Sequence, residues 1–120
     1  MYRAAAQRIS PLQTRVLGRT GVHLPILGFG TAHSGLRLNI KVAVRLYETA
    51  FRHGITYFDT APEFAGYGKA QMQLRHFLKH VRSEVFLVTK CYEPDGERAR
   101  AASAEPEGIG NPLRRSRLRP

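Results

Sequence analysis

The chain has 120 residues, of which 42% are hydrophobic and 23% charged, an ordinary composition for a globular domain. A complete (β/α)8 barrel needs about 250 residues, so this chain is too short to form one. The net charge of +10 is mostly N-terminal, because residues 1–47 hold seven basic and no acidic side chains. They carry no nucleic-acid-binding motif, and we therefore expect no specific nucleic-acid partner.

The single cysteine, Cys91, excludes an internal disulfide and a cysteine-based metal site, which suits a reducing, cytoplasmic location. No apolar run approaches the ~18 residues of a membrane span. Residues 1–13 are basic and show no hydrophobic periodicity of a helix or strand. We therefore expect them to be disordered, with a transit peptide as the alternative. Residues 105–120 are rich in Pro, Gly and Arg, which predicts a disordered basic tail.

A hairpin and a strand are the first regular elements that the sequence predicts. Residues 14–17 and 22–25 are short β-prone runs that flank a turn with a glycine at each end. Residues 26–31 have the apolar character of a buried strand. Its Gly28 and Gly30 either leave room for a ligand to approach the backbone or ease a tight corner.

Two amphipathic helices follow, separated by a strand. After a loop at residues 32–39, Asn39 is a suitable N-cap for the first helix, and Gly54 is a suitable residue to end it. The second helix is predicted from about residue 69 to 81. Its two histidines lie on the solvated side without a third ligand, so we predict no metal site. The buried stripes are predicted to be Ile40, Ala43, Val44, Tyr47, Ala50 and Phe51, and Ala70, Leu74, Phe77, Leu78 and Val81.

Two apolar strands carry opposite charges near their C-terminal ends. Residues 55–61 predict a buried strand that bears Asp59, and residues 85–90 predict a second strand that ends on Lys90. In one parallel sheet these ends lie side by side, about 5 Å apart, so we expect the carboxylate to face the ammonium group. The pattern predicts an α/β fold with acid–base chemistry at this edge. Residues 97–104 predict one or two further helical turns.

This order of elements resembles the N-terminal third of an aldo-keto reductase. The resemblance covers residues 14–104 and implies a partial (β/α)8 TIM barrel, with an N-terminal hairpin plus about three β/α units. It also implies the NADPH-dependent reduction of small carbonyl substrates, aldehydes and ketones, to alcohols without a metal. The motifs that carry it are Leu17-Gly18-Arg19-Thr20-Gly21, Leu27-Gly28-Phe29-Gly30-Thr31, Gly54-Ile55, Phe58-Asp59-Thr60-Ala61, Tyr67-Gly68 and Val88-Thr89-Lys90.

The resemblance assigns roles to individual residues. In the family a Tyr protonates the carbonyl oxygen, a Lys paired with an Asp makes that Tyr more acidic, and a His polarises the carbonyl. Asp59 and Lys90 match the family's Asp and Lys. Gly28, Gly30 and Thr31 resemble the segment beside the cofactor, and with Asp59 they form the predicted cofactor-binding set. The His belongs to a strand that this chain does not include.

The catalytic Tyr departs from the family pattern. It normally follows the Asp by five residues, a position that Phe64 occupies here, and Phe has no hydroxyl. Either the loop is lengthened and Tyr67 is the acid, or Tyr67 belongs to the segment that leads into the helix and the acid is missing. Further glycines before that helix in some family members favour the second alternative. We place Tyr67 with Asp59 and Lys90 in the candidate catalytic set.

These observations predict an oxidoreductase by descent, whose isolated chain is marginally stable and has little or no activity. A non-catalytic fragment that binds a partner or an acidic surface is the alternative. The exposed edge of an incomplete sheet would also favour self-association. A mispredicted or frameshifted gene product is a third interpretation, because the composition changes abruptly at Glu105.

Overall fold

The core of the protein lies between one face of a parallel sheet and two helices. The computed structural model describes residues 11–102, and the predictions for residues 1–10 and 103–120 lie outside this range. The elements in chain order are β1 (Thr14–Val16), β2 (His23–Pro25), β3 (Phe29–Gly30), α1 (Ala32–Arg37), α2 (Ile40–Arg52), β4 (Tyr57–Asp59), α3 (Ala70–Val81), β5 (Phe86–Val88) and α4 (Gly96–Ala102), with 3₁₀ turns at Glu63–Ala65 and Arg82–Glu84.

The predicted hairpin is confirmed. Strands β1 and β2 pair antiparallel, with Arg15 opposite Leu24. Gly18 and Gly21 both have positive φ, 51° and 73°, which residues with a Cβ rarely adopt. These two glycines therefore set the turn that fixes the register of the hairpin.

Strands β3, β4 and β5 form a parallel sheet in that order. Gly30 lies opposite Asp59, and Asp59 lies opposite Val88, so the three C-terminal ends meet at one edge. The predicted α/β class is confirmed, and within residues 11–102 the sheet is open rather than closed into a barrel. The prediction of a buried strand from residue 26 is wrong, because Ile26 and Leu27 are more than half exposed and β3 begins only at Phe29.

Helices α2 and α3 cover one face of the sheet through aromatic packing. Phe58 of β4 is fully buried, and its ring centroid lies 5.2 Å from that of Phe77 and 6.0 Å from that of Tyr47. The predicted stripe of α3 is buried throughout. The predicted stripe of α2 is buried except at Val44, which is half-buried, and at Ile40, which is exposed because it lies at the helix start.

The predicted ends of α2 are confirmed. The Asn39 side chain accepts a hydrogen bond from the Val42 amide at 2.9 Å, which satisfies one of the free N–H groups of the first turn. Gly54 follows the helix with a φ of 90°. Helix α4 begins in the same way, since the Asp95 carboxylate accepts from the amides of Glu97 and Arg98.

The prediction of a loop at residues 32–39 is wrong, because helix α1 occupies most of it. Ser and Gly give this segment little helical preference, but tertiary contacts hold it. The Ser34 hydroxyl donates to the Thr31 carbonyl and lies 2.6 Å from the Tyr47 hydroxyl, and the Gln73 amide donates to the carbonyls of Ser34 and Leu38. Packing against α2 and α3 therefore overrides the local sequence preference.

In residues 11–102 no helix is both long and apolar enough to cross a bilayer.

Candidate active site

Three polar side chains meet at the C-terminal edge of the sheet. The Lys90 ammonium group donates to both carboxylate oxygens of Asp59, at 2.7 and 2.8 Å. It also lies 3.0 Å from the Tyr67 hydroxyl, which in turn donates to Asp59 Oδ2 at 3.0 Å. Each of the three groups contacts the other two, so the candidate catalytic residues form one closed cluster.

The sheet register and one loop create this cluster. Side chains alternate along β4, so Asp59 points to the face opposite the buried Phe58. Tyr67 is brought back to Asp59 by the 3₁₀ turn Glu63–Ala65 and by Gly66 and Gly68, whose φ angles are 82° and 51°. The loop therefore places the Tyr67 hydroxyl within hydrogen-bond distance of both Asp59 and Lys90, and its role as the acid stays a prediction.

The environment of Lys90 favours its charged form. Partial burial disfavours the charged form and lowers the pKa of Lys90. The hydrogen bonds and charge interactions with Asp59 and Tyr67 outweigh this effect, so the pKa lies above its ordinary value. The ammonium group also donates to the carbonyl of Thr60 at 3.1 Å. Its side chain is 46% exposed and that of Asp59 30%, so solvent screens the pair and a reactant can reach it.

The raised pKa of Lys90 predicts a pH-dependent contribution to stability. A group whose pKa is higher in the folded state stabilises the fold fully below its unfolded pKa, about 10.4, and this contribution is lost as pH rises through the folded value. We therefore expect the difference in free energy of unfolding between the wild-type chain and Lys90→Met to be constant near pH 8 and to shrink above pH ~10.4. Urea titrations across this range measure it, and a difference that grows with pH would contradict the assignment.

The four predicted cofactor-binding residues have different surroundings. A Cβ atom at Gly30 would meet no atom of residues 11–102 within 4 Å, so within this range the space directly beside Asp59 is open. At Gly28 a Cβ would lie 2.8 Å from the Tyr57 ring, so this glycine makes room for an aromatic side chain. Thr31 is fully buried, and its hydroxyl donates to the carbonyl of Asp59 at 2.9 Å, which fixes β3 beside β4. Their role in binding a cofactor remains a prediction.

Thr60, next to Asp59, has a buried hydroxyl without a hydrogen-bond partner within the described residues. A buried, unsatisfied hydroxyl costs about 1–3 kcal/mol. We expect Thr60→Val, which keeps the shape, to raise the free energy of unfolding by about 1 kcal/mol. Urea unfolding measures this. Thr20→Val is the matched control and should destabilise, because the Thr20 hydroxyl donates to Leu17 O and accepts from the Val22 amide.

Sequence reasoning missed two contacts near the cluster. The Thr60 carbonyl accepts from Lys90, which no side-chain pattern could indicate. The Gln71 side chain of α3 lies 3.4 Å from the Thr89 hydroxyl, next to Lys90.

In the part of the chain that the structure describes, no group of three or more His, Cys, Asp or Glu residues could hold a metal ion.

Comparison with known proteins gives a consistent assignment. The sequence profile of the Aldo/keto reductase family matches residues 26–119. The chain is 35% identical over 85 residues to the uncharacterized oxidoreductase YrpG of Bacillus subtilis, covering 65% of this chain and 26% of that protein. It is 36% identical over 81 residues to pyridoxal 4-dehydrogenase of Microbacterium luteolum, covering 65% of this chain and 23% of that protein.

Solved structures lead to the same family. The aldo-keto reductase PA4992 of Pseudomonas aeruginosa matches with a TM-score of 0.57 and 32% identity, covering 65% of this chain and 31% of the other. Another aldo-keto reductase structure from that organism matches with a TM-score of 0.63 and 27% identity, over 76% and 40% of the two chains. The chain thus spans well under half the length of these relatives, and its open sheet corresponds to part of their TIM barrel. On these matches, the chain belongs to the aldo/keto reductase family.

Proposed function

We propose that this chain contributes the acid–base half of an NADPH-dependent carbonyl reductase, which reduces an aldehyde or ketone to an alcohol. The observation that carries the proposal is the closed cluster of Asp59, Tyr67 and Lys90 at the sheet edge where α/β barrels hold their active sites. Relatives described as oxidoreductases and dehydrogenases support the reaction class.

In this proposal Tyr67 is the general acid. Its hydroxyl gives a proton to the carbonyl oxygen of the substrate as negative charge develops there. The Lys90 ammonium group, 3.0 Å away, stabilises the phenolate that remains. Asp59 holds Lys90 through two hydrogen bonds, which keeps the ammonium group charged and in position.

The surroundings of Gly30 fit a flat cofactor ring. NADPH, when bound, would supply the hydride that the carbonyl carbon accepts. The open space at Gly30 allows a ring to approach the backbone next to Asp59, and the glycine leaves no side chain in the way. Gly28 and Thr31 would act indirectly, since one makes room for Tyr57 and the other fixes the end of β3.

The test uses a completed barrel, in which residues 14–102 replace the matching segment of the Pseudomonas aeruginosa reductase PA4992. NADPH oxidation is followed at saturating cofactor with simple aldehydes and with pyridoxal, an aldehyde suggested by the name of one relative. We expect turnover in the completed barrel and little or none in the chain alone. A completed barrel that folds, binds NADPH and reduces none of these carbonyls would contradict the proposal.

A second candidate function is self-association through the sheet. Strands β3 and β5 have no outer neighbour within residues 11–102, and such edges pair with other strands. Size-exclusion chromatography of the chain at moderate salt tests it, since a monomer at all concentrations would argue against it. We also propose a cytoplasmic location, which the single cysteine of this chain supports.

A further inference from the structure

We infer that Gly35 is a positioning residue for Tyr67: helix α1 packs backbone to backbone against the Tyr67–Ala70 segment, and this contact sets where the Tyr67 hydroxyl lies. The inference rests on the proposed function, because it concerns the group that we assign as the acid. It adds helix α1, which the sequence pattern did not predict, to the parts of the molecule that position the three cluster residues.

The first observation is that nothing in the conformation of Gly35 requires a glycine. It lies inside α1, and its φ is not positive. Inside a helix a glycine costs about 0.5–1 kcal/mol relative to alanine. The reason for this glycine must therefore be a neighbour that needs the space.

That neighbour is the segment that carries Tyr67. A Cβ atom at Gly35 would collide with the carbonyl oxygen of Tyr67 and would lie 2.7 Å from both the amide nitrogen and the Cβ of Ala70. In the other direction, a Cβ at Gly68 would lie 2.7 Å from the Gly35 carbonyl oxygen. Two glycines thus permit a close approach on both sides of the contact.

Hydrogen bonds fasten the two segments together. The Lys69 amide donates to the Gly35 carbonyl at 3.1 Å and joins the Tyr67–Ala70 segment to α1, while the bond from the Ala70 amide to the Tyr67 carbonyl, also 3.1 Å, holds the turn within that segment. Helix α1 is itself held by the buried contacts of Ser34 and Gln73 described above. The Tyr67 backbone therefore rests on a fixed surface, while its side chain reaches the cluster.

The test replaces Gly35 by alanine in the full chain and follows the Lys90 ammonium group by its 13Cε chemical shift as pH is raised. The hydroxyl of Tyr67 is one of the contacts that raise the pKa of Lys90, so a displaced Tyr67 leaves a lower midpoint. We expect Gly35→Ala to lower the midpoint to that of Tyr67→Phe, and the double variant to lower it no further. Gly96→Ala is the matched control, because Gly96 is a helical glycine whose Cβ would meet none of the described residues within 4 Å.

A wild-type midpoint in Gly35→Ala, with a lower one in Tyr67→Phe, would overturn the inference. An unchanged Lys90 midpoint in Tyr67→Phe would also overturn the inference, because the Tyr67 hydroxyl would then make no contact with the Lys90 ammonium group. If Gly35→Ala does not fold, hydrogen exchange of the wild-type chain decides. Protection of the Lys69 amide equal to that of the Leu38 amide, which donates to the Ser34 carbonyl at the end of α1, supports the inference, and an unprotected Lys69 amide refutes it.

The readout is a titration, so the inference and the proposed function fail separately. A completed barrel that is inactive would refute the function and leave the Gly35 result standing. An active barrel in which Gly35→Ala lowers neither kcat nor the Lys90 midpoint would refute the inference alone.

Discussion

Replacing Tyr67 by phenylalanine is expected to lower kcat of the completed barrel by about 10²–10⁴-fold, the usual contribution of a positioned general acid. Phe keeps the ring and removes only the hydroxyl that contacts Lys90 and Asp59. We therefore expect KM for the carbonyl substrate to change much less than kcat. Steady-state kinetics with saturating NADPH measure both values.

The matched control for this prediction is Tyr92→Phe. It makes the same chemical change on a side chain that is 73% exposed and lies outside the cluster. We expect its kcat to equal that of the wild type. If Tyr67→Phe also kept the wild-type kcat, Tyr67 would not be the acid, and the alternative in which the acid is missing would be correct.

Replacing Phe58 by alanine is expected to have the largest effect on stability. Its side chain is fully buried, and its ring contacts those of Phe29, Tyr47 and Phe77. Removal of a buried Phe ring typically costs about 3–5 kcal/mol. Domains have only about 5–15 kcal/mol of stability, so we expect the variant to be largely unfolded or to melt far below the wild type.

Phe86→Ala is the control for Phe58→Ala. Phe86 lies opposite Tyr57 rather than opposite Phe58, so it points to the face of the sheet that α2 and α3 do not cover. It is only half-buried, and we expect its loss to cost clearly less in urea unfolding of the chain. Equal losses in the two variants would contradict the layer arrangement described here.

The elements with strong periodicity could be predicted from the sequence. The stripes of α2 and α3 recur at three and four residues, and their buried faces follow directly. Helix α1 could not be predicted, because its stability comes from residues distant in sequence. Gln73 was a missed signal: it lies between Ala70 and Phe77 on a buried face, where an amide needs partners, and it finds them in α1.

Part of the candidate site could also be predicted from the sequence. Asp59 and Lys90 follow from the ends of two parallel strands, since the register of a parallel sheet brings those ends together. The place of Tyr67 depends on the path of an irregular loop, which motif spacing does not determine. The signal that could have indicated it is the pair Gly66 and Gly68, because glycines on both sides allow the chain to turn back towards Asp59.

The central claim is that Asp59, Tyr67 and Lys90 act as one catalytic unit, and a double-variant cycle in the completed barrel tests it most directly. Groups that act as a unit give losses that are far from additive. We predict that the kcat of Tyr67→Phe/Lys90→Met is no lower than that of the worse single variant. A double variant whose loss equals the product of the two single losses would show that the residues act independently, and would contradict the account.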